Sequence, residues 1–401
     1  MRRPSSMPWG IAVLCLLFLP SCRGGDSTPP LVVQRDSAGI QIVEAMRPLW
    51  GDSSPWRIDP DPVVDLTLTG SGPNHEFHQA RSMKQRPDGS LMIANTGSEE
   101  VRVFSATGEF LGSFGGSGEG PGEFNDLNVT ENAGDTLLAI DFEGRVTVVA
   151  PDLTVVRTFN IDPLTLNLYY LDIGAILPEP RSLVLPQAGV GGLIRRPLPL
   201  VLFDLEGDQI DSIGEMQGPE IYLHFREGVF GGAVPPFFGK TSHVATFGRR
   251  IYRGSNDAMQ VEELDTSGNL VRILRIPDYP LDLSAALIAA ERDVFLDRLP
   301  RGSTSPFQRA FEDAPASDTR PAFTDILIDP SRAVWLQLHR GESEQDQPQE
   351  WLVLDADGTW LGNVRIPDRF SVTDITMDAV LGVWRNELDV EHPQVLRLTR
   401  N

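Results

Sequence analysis

The chain has 401 residues, 34 of them lysine or arginine and 56 aspartate or glutamate, for a formal net charge of −22. A field of that sign repels phosphate backbones, so nucleic-acid binding is excluded as a function class. Its two cysteines, Cys15 and Cys22, are too few for a disulfide framework.

The first element is an export signal. Arg2 and Arg3 precede an apolar run from Trp9 to Leu19, which leads into Leu19-Pro20-Ser21-Cys22. That run is about half the roughly twenty apolar residues a membrane-spanning helix needs, which favours cleavage over a permanent span. Leu19 and the small Ser21 ahead of Cys22 resemble the bacterial lipobox, whose cysteine is acylated and becomes the first mature residue. On this reading residues 1–21 are a lipoprotein signal peptide, Cys22 carries the lipid, and residues 22–30 form a flexible tether of small, polar and proline residues. The alternative is an ordinary signal peptide in which Cys22 falls by chance. Cleavage would remove two positive charges and no negative ones, leaving 32 basic against 56 acidic residues.

From residue 31 to residue 401 the sequence is repetitive and predicts one all-β domain. An apolar residue, a short turn with glycine and a second strand recur at Phe104…Gly108…Phe114, Phe203…Gly207…Ile213, Leu264…Gly268…Leu274 and Leu354…Gly358…Val364. A fifth copy, Val149…Leu153…Phe159, has leucine in place of the glycine. Each reads as a β-hairpin whose turn needs positive φ. Shorter inner strands precede them at Leu91-Met92-Ile93, Leu137 to Ile140, Leu183-Val184-Leu185, Ile251-Tyr252, Val334-Trp335-Leu336 and Val380 to Val383. Six inner pairs and five outer hairpins leave one strand missing after Val395 to Leu398, and the free alternating strand Val63 to Leu68 is the candidate to supply it. The expected fold is therefore a six-bladed β-propeller closed by an N-terminal strand, which leaves no large open sheet edge.

Residues 87–124, with Ile93-Ala94-Asn95-Thr96-Gly97, Val101-Arg102-Val103-Phe104 and Gly118-Glu119-Gly120-Pro121-Gly122-Glu123-Phe124, resemble NHL repeats. More broadly, the chain from Val32 onward is similar to six-bladed β-propeller lipoproteins of bacteria. Asn95 stands where the NHL pattern has aspartate.

Two stretches break the repeat. Residues 221–247 hold Tyr222, His224, Phe225, Phe237, Phe238 and His243 among glycines and Pro235-Pro236, and are expected to form either an aromatic ligand-binding lip or a local plug packed on its own blade. Residues from about 282 to 318 place Leu287, Ile288, Glu291, Val294, Phe295 and Leu299 at helical spacing, predicting a small helical insertion that acts as a lid, a docking surface or a cover.

No nucleotide loop, zinc helix or nucleophile elbow is found, and no cofactor is required by any motif. The oxygen-bearing strand ends Asn95, Asp141 and Asn256 would suit calcium or another divalent cation near the axis, although such residues also end strands for ordinary turn reasons. The expected role is a binding or interaction module rather than an enzyme, held on a cell-envelope membrane by its lipid, with a protein, peptide or glycan partner. The alternative is a metal-dependent hydrolase or lyase with its site at the propeller axis, by analogy of fold. Cys22→Ser should abolish incorporation of labelled fatty acid and move the protein from the membrane to the soluble envelope fraction; retention of the label in the variant would exclude Cys22 as the anchor.

Overall fold

The computed structural model describes residues 30–51, 53–160, 169–171, 174–178, 191–298, 306–345 and 347–400. The signal segment, Cys22 and the inner strand expected at Leu183 to Leu185 lie outside the described residues. No helix among the described residues is long and apolar enough to cross a membrane.

The described residues are mostly strand, in six sheets. The first sheet is Ala80–Gln85, Leu91–Asn95, Glu100–Phe104 and Phe110–Gly115; the second is Leu127–Ala133, Thr136–Asp141, Arg145–Val149 and Val155–Asn160. The third holds Tyr169–Leu171, Gly174–Pro178, Gly192–Phe203, Gln209–Arg226 and Val229–Val234. The fourth is Ser242–Phe247, Arg250–Ser255, Gln260–Leu264 and Leu270–Arg275, and the fifth Phe323–Ile328, Val334–Leu338, Gln349–Leu354 and Trp360–Ile366. The sixth is Phe370–Ile375, Ala379–Arg385, Glu391–Thr399 and, from the other end of the chain, Arg57–Asp65. This last strand runs antiparallel to Glu391–Thr399, with Val64 opposite Val395. It begins at Arg57 and ends at Asp65, earlier at both ends than the alternation Val63 to Leu68 suggests; Leu66 already belongs to a turn in which Leu68 N–H bonds the carbonyl of Asp65. A feature absent from the sequence reading is the further hairpin Val32–Ser37 and Ile40–Ala45, whose second strand pairs in parallel with Leu270–Arg275 and widens the fourth sheet to six strands.

The first strands of the six sheets touch one another in cyclic order, and the first strand of the sixth sheet touches that of the first. The arrangement is propeller-type. Its core is divided into slabs, each between neighbouring sheets. Met92, Val101 and Val103 of the first sheet pack on Leu127, Leu137 and Val149 of the second. Trp335, Trp351 and Val353 of the fifth pack on Phe370, Val380 and Leu396 of the sixth. Leu381 and Val383 of the sixth pack with Leu66 on Met83, Ile93 and Phe104 of the first. A strand between two slabs is buried on both faces and so reads as a continuous apolar run, as in Leu91–Asn95, whereas an outer strand such as Phe110–Gly115 alternates.

Hairpin turns carry a second device beyond glycine. Asp204, Asp265 and Asp355 each stand three residues before the turn glycine, and each accepts hydrogen bonds from the backbone N–H groups two and four residues on, at 2.8–3.0 Å. Ser105 does the same with its hydroxyl. In the fifth copy, with Ala150 at that place, Leu153 itself takes φ 68.

The stretch 221–247 is not a free loop. Ile221 to Arg226 prolong the strand Gln209–Arg226, which turns back as Val229–Val234, and Ser242–Phe247 is the first strand of the fourth sheet. The helices Ala285–Asp297 and Pro306–Asp313 lie against this hairpin, where Val234 and Tyr222 pack on Phe295, Ala310 and Phe311. Ser284 caps the first helix by accepting from Leu287 N–H at 3.1 Å.

Gly268 sits at φ +78, and a Cβ built on it would lie 2.3 Å from the Ile213 carbonyl oxygen, which is backbone and cannot yield. Gly268→Ala should therefore destabilise the fold by about 1–3 kcal/mol, read as a lower urea midpoint with unchanged slope. A neutral effect would mean that the turn does not hold this geometry.

Candidate functional site at the ring axis

Four of the innermost strands carry a register shift, or β-bulge, partway along: between Arg81 and Lys84, Leu127 and Val129, Phe323 and Asp325, and Val372 and Asp374. A bulge bends a strand and re-aims the side chain after it. Lys84, Asp325 and Asp374 stand at the far side of three of these bulges, and Glu131 lies two residues beyond the fourth. All four line a cavity of about 650 Å³ that draws its walls from five of the six sheets and their following turns, which places it on the axis.

The cavity is stitched beneath by hydroxyls. Ser82, at φ 50, donates from Oγ to the Thr130 carbonyl at 2.9 Å and accepts from Thr130 N–H at 3.1 Å; Thr130 Oγ1 donates to the Ser82 carbonyl at 3.1 Å. Thr373 Oγ1 donates to the Met83 carbonyl at 2.7 Å. The innermost strands of the sixth, first and second sheets are thus held together by side chains, since neighbouring blades share no backbone ladder there.

Lys84 Nζ meets Glu131 Oε1 at 2.6 Å, with side chains 18% and 19% exposed, so water still reaches the pair. Asp374 Oδ2 accepts from Gln85 N–H at 3.0 Å. Burial alone would lower the Lys84 pKa, but Glu131, Asp374 and Asp325 outweigh it and hold the ammonium above its ordinary value. Burial raises Glu131 by more than Lys84 lowers it. Asp325 accepts from Ile326 N–H at 2.8 Å and lies far enough from Lys84 that burial dominates, pushing its carboxyl up to about 6. The charged lining of the cavity is Lys84 and Arg86 against Glu131, Asp325, Asp374 and Asp378, which leaves the cavity short of positive charge. It suits a cationic group, and Asp325 can give or take a proton near neutrality.

The strand ends expected to suit a cation stand on three separate sheets and spend their oxygens locally. Asn95 Oδ1 accepts from His78 N–H at 2.8 Å, Asp141 Oδ2 from Asn125 N–H at 3.3 Å, and Asn256 Oδ1 from Thr241 N–H at 2.8 Å. In each case the bond ties the end of the second strand to the segment that enters the first strand of its sheet. Among the described residues, no three His, Cys, Asp or Glu side chains group as metal ligands.

The six aromatic candidates are not gathered on one open lip. His224 is buried with Nε2 3.0 Å from Asp313 Oδ2, and Tyr222 lies beside it. Phe225 packs edge-on against Phe230 at 5.4 Å. Phe237 is buried against Phe295 at 5.8 Å, under the Arg292 guanidinium, and Phe238 against His339 at 5.6 Å. His243 lies on the first strand of the fourth sheet, 5.6 Å from Phe323, where burial pushes its pKa down to about 4. Tyr222, His224 and Phe237 serve as packing against the helices, and the other three pack elsewhere.

Sequence reasoning did not single out Lys84, Glu131, Asp325 or Asp374. The available signal was positional: Lys84, Glu131 and Asp374 each stand fifth in the first strand of their sheet and Asp325 third, shortly before turns such as Arg86-Pro87-Asp88-Gly89 or Asp329-Pro330-Ser331.

No protein-family profile matches the chain, and no curated protein matches it. Among solved structures, it is similar to a candidate exported protein of Bacteroides fragilis, with a TM-score of 0.52 and 12% identity over 87% of this chain and 97% of that one. It is also similar to a member of the DUF4221 family from Bacteroides vulgatus, with a TM-score of 0.48 and 12% identity over 86% and 98% of the two chains. The WD40 repeats of RRP9 align with a TM-score of 0.41 and 10% identity over 80% and 96%. At such identities the first likeness speaks to fold alone.

Because the folded state holds the Asp325 proton more tightly than the unfolded chain, this residue makes the protein less stable as pH rises from about 4 to about 6. Asp325→Asn should remove that fall, so the variant matches wild type near pH 3.5 and exceeds it at pH 7 by up to about 3 kcal/mol. Parallel pH–stability curves for the two proteins would contradict the assignment.

Proposed function

We propose that the chain is an exported six-bladed β-propeller of NHL-like type, closed by its N-terminal strand and anchored by lipid on Cys22, that binds a ligand or partner at its axial cavity. The propeller reading is supported by the cyclic contacts of the innermost strands and by the pairing of Arg57–Asp65 with Glu391–Thr399. Export and anchoring draw on the signal-like Arg2 to Cys22 segment, and the similar Bacteroides fragilis chain, described as a candidate exported protein, is in keeping with them.

One observation carries the binding reading: Lys84, Glu131, Asp325 and Asp374 converge from four different sheets on a single cavity. Its surplus of carboxylates favours a partner that brings a positive charge, and a basic peptide segment is the occupant best matched to it. The tether then keeps that partner at the membrane surface.

A hydrolase or lyase at the axis is the second reading. The observation that favours it is the Asp325 carboxyl, pushed up to about 6 within the same cavity as Lys84 and Glu131, a pairing of groups fit for proton transfer. A metal in this reading would draw on Asn95, Asp141 or Asn256 only by displacing their backbone hydrogen bonds.

Titration of the protein with a lysine-rich pentapeptide, followed by calorimetry, separates these readings. Binding should weaken by about tenfold in Asp325→Asn and Asp374→Asn, fall with added salt, and leave the peptide intact. No binding in the wild type would remove the proposed ligand class, and turnover of the peptide would move the weight to the enzyme.

A further inference from the structure

A second cavity, of about 500 Å³, lies at the opposite end of the innermost strands, where the chain enters the fifth sheet. Its charged lining comprises Arg320, Arg340, Arg365, Glu344 and Glu350. In a protein whose net charge is −22, this is a pocket in which guanidinium groups outnumber carboxylates. His339 adds no charge, since burial pushes its pKa down to about 4, and burial of Tyr279 pushes its phenol up to about 12, so it stays neutral.

The three arginines differ in how fully they are used. Arg320 pairs with Glu344, which also accepts from Gly341 N–H at 3.0 Å. Arg365 Nε donates to Glu350 Oε1 at 3.1 Å, and Glu350 Oε2 is taken by Asn363. Arg340 donates from Nη1 to the Gln347 carbonyl and, among the described residues, meets no carboxylate; the buried Nε atoms of Arg340 and Arg320 have no acceptor there. The nearby Glu291 carboxylate is spent on Glu342 N–H and Ser343 N–H, both at 2.9 Å, and this is how the helix Ala285–Asp297 fixes the loop that forms the pocket wall. Tyr279, Pro280, Leu281, Leu338 and Pro348 give the wall an apolar part, beside the amides of Gln347 and Gln349.

We infer that this pocket is a binding site for a small carboxylate that carries an apolar group, with Arg340 as the residue that grips the carboxylate. A guanidinium fork with unused donors matches the two oxygens of a carboxylate. The surplus of one positive charge over the two glutamates favours a monoanion over a dianion such as phosphate. The cavity volume fits a small organic molecule, and the apolar stretch of wall would cover its non-polar part. This site stands independently of the axial one, since it lies on the other face and has the opposite sign of charge.

The test is calorimetry or ligand-observed NMR on the full chain in detergent, with phenylacetate, its neutral analogue phenylacetamide, and inorganic phosphate as probes. Phenylacetate should bind, with phenylacetamide and phosphate each weaker by about tenfold or more. Arg340→Gln should weaken phenylacetate by about tenfold, and Arg340→Lys, which keeps the charge and loses the fork, by less. Arg340 is only partly buried, so both variants should melt as wild type does, and the carboxylate-to-amide ratio within wild type reads the same claim without a substitution. Equal binding of acid and amide, a preference for phosphate, or unchanged affinity in Arg340→Gln would each overturn it.

Discussion

The structure depends on the hydrogen-bonded ladder between Arg57–Asp65 and Glu391–Thr399, strands from opposite ends of the described chain. Each sheet buries its two faces only because neighbours press on both, so a missing fourth strand would bare one slab and loosen the contact between the sixth and first sheets. Val64 and Leu66 sit in that slab with Met83, Ile93 and Phe104, and a fully buried aliphatic side chain contributes about 1.5–3 kcal/mol. Pairing of the two ends also commits the chain to the entropic cost of closing a very long loop, which grows only slowly with length.

The cyclic contact of the innermost strands has a chemical consequence at the axis. Adjacent sheets share no backbone ladder near the centre, so polar side chains link them there: Ser82 with Thr130, Thr373 with the Met83 carbonyl, Lys84 with Glu131. The same circle that forces these groups together forces like charges together as well. Burial at the axis adds a cost at Asp325, whose carboxyl it pushes up to about 6 against the smaller opposing pull of Lys84. At the other end of the strands the helical insertion does the reverse work, using Glu291 to fix a loop in which the Arg340 guanidinium has no acidic partner among the described residues.

Much of the fold was legible because repetition makes it so. The glycine hairpins at Gly108, Gly207, Gly268 and Gly358 all take φ between 78 and 92, a constraint on local geometry that sequence can display directly. The mostly β character followed from the same alternation. Less visible was the parallel addition of Ile40–Ala45 to Leu270–Arg275, since parallel pairing between distant strands leaves no turn to read. The site was harder still. Tyr222 and Phe237 stood out because aromatics among glycines suggest exposure, yet the helices that cover them come some fifty residues or more later in the chain. Lys84, Glu131, Asp325 and Asp374 passed unnoticed because each alone is an ordinary charged residue near a turn; only the bulges and the circle bring them to one place.

The most direct test of closure is a cross-link between the two ends. In a chain with Cys15 and Cys22 replaced by serine, Val64→Cys and Val395→Cys place two thiols on directly opposed residues. The account predicts that mild oxidation joins them in the folded monomer and raises the urea midpoint relative to the reduced form. Failure of the two cysteines to join in the folded protein, while each remains reactive toward a small thiol reagent, would contradict it.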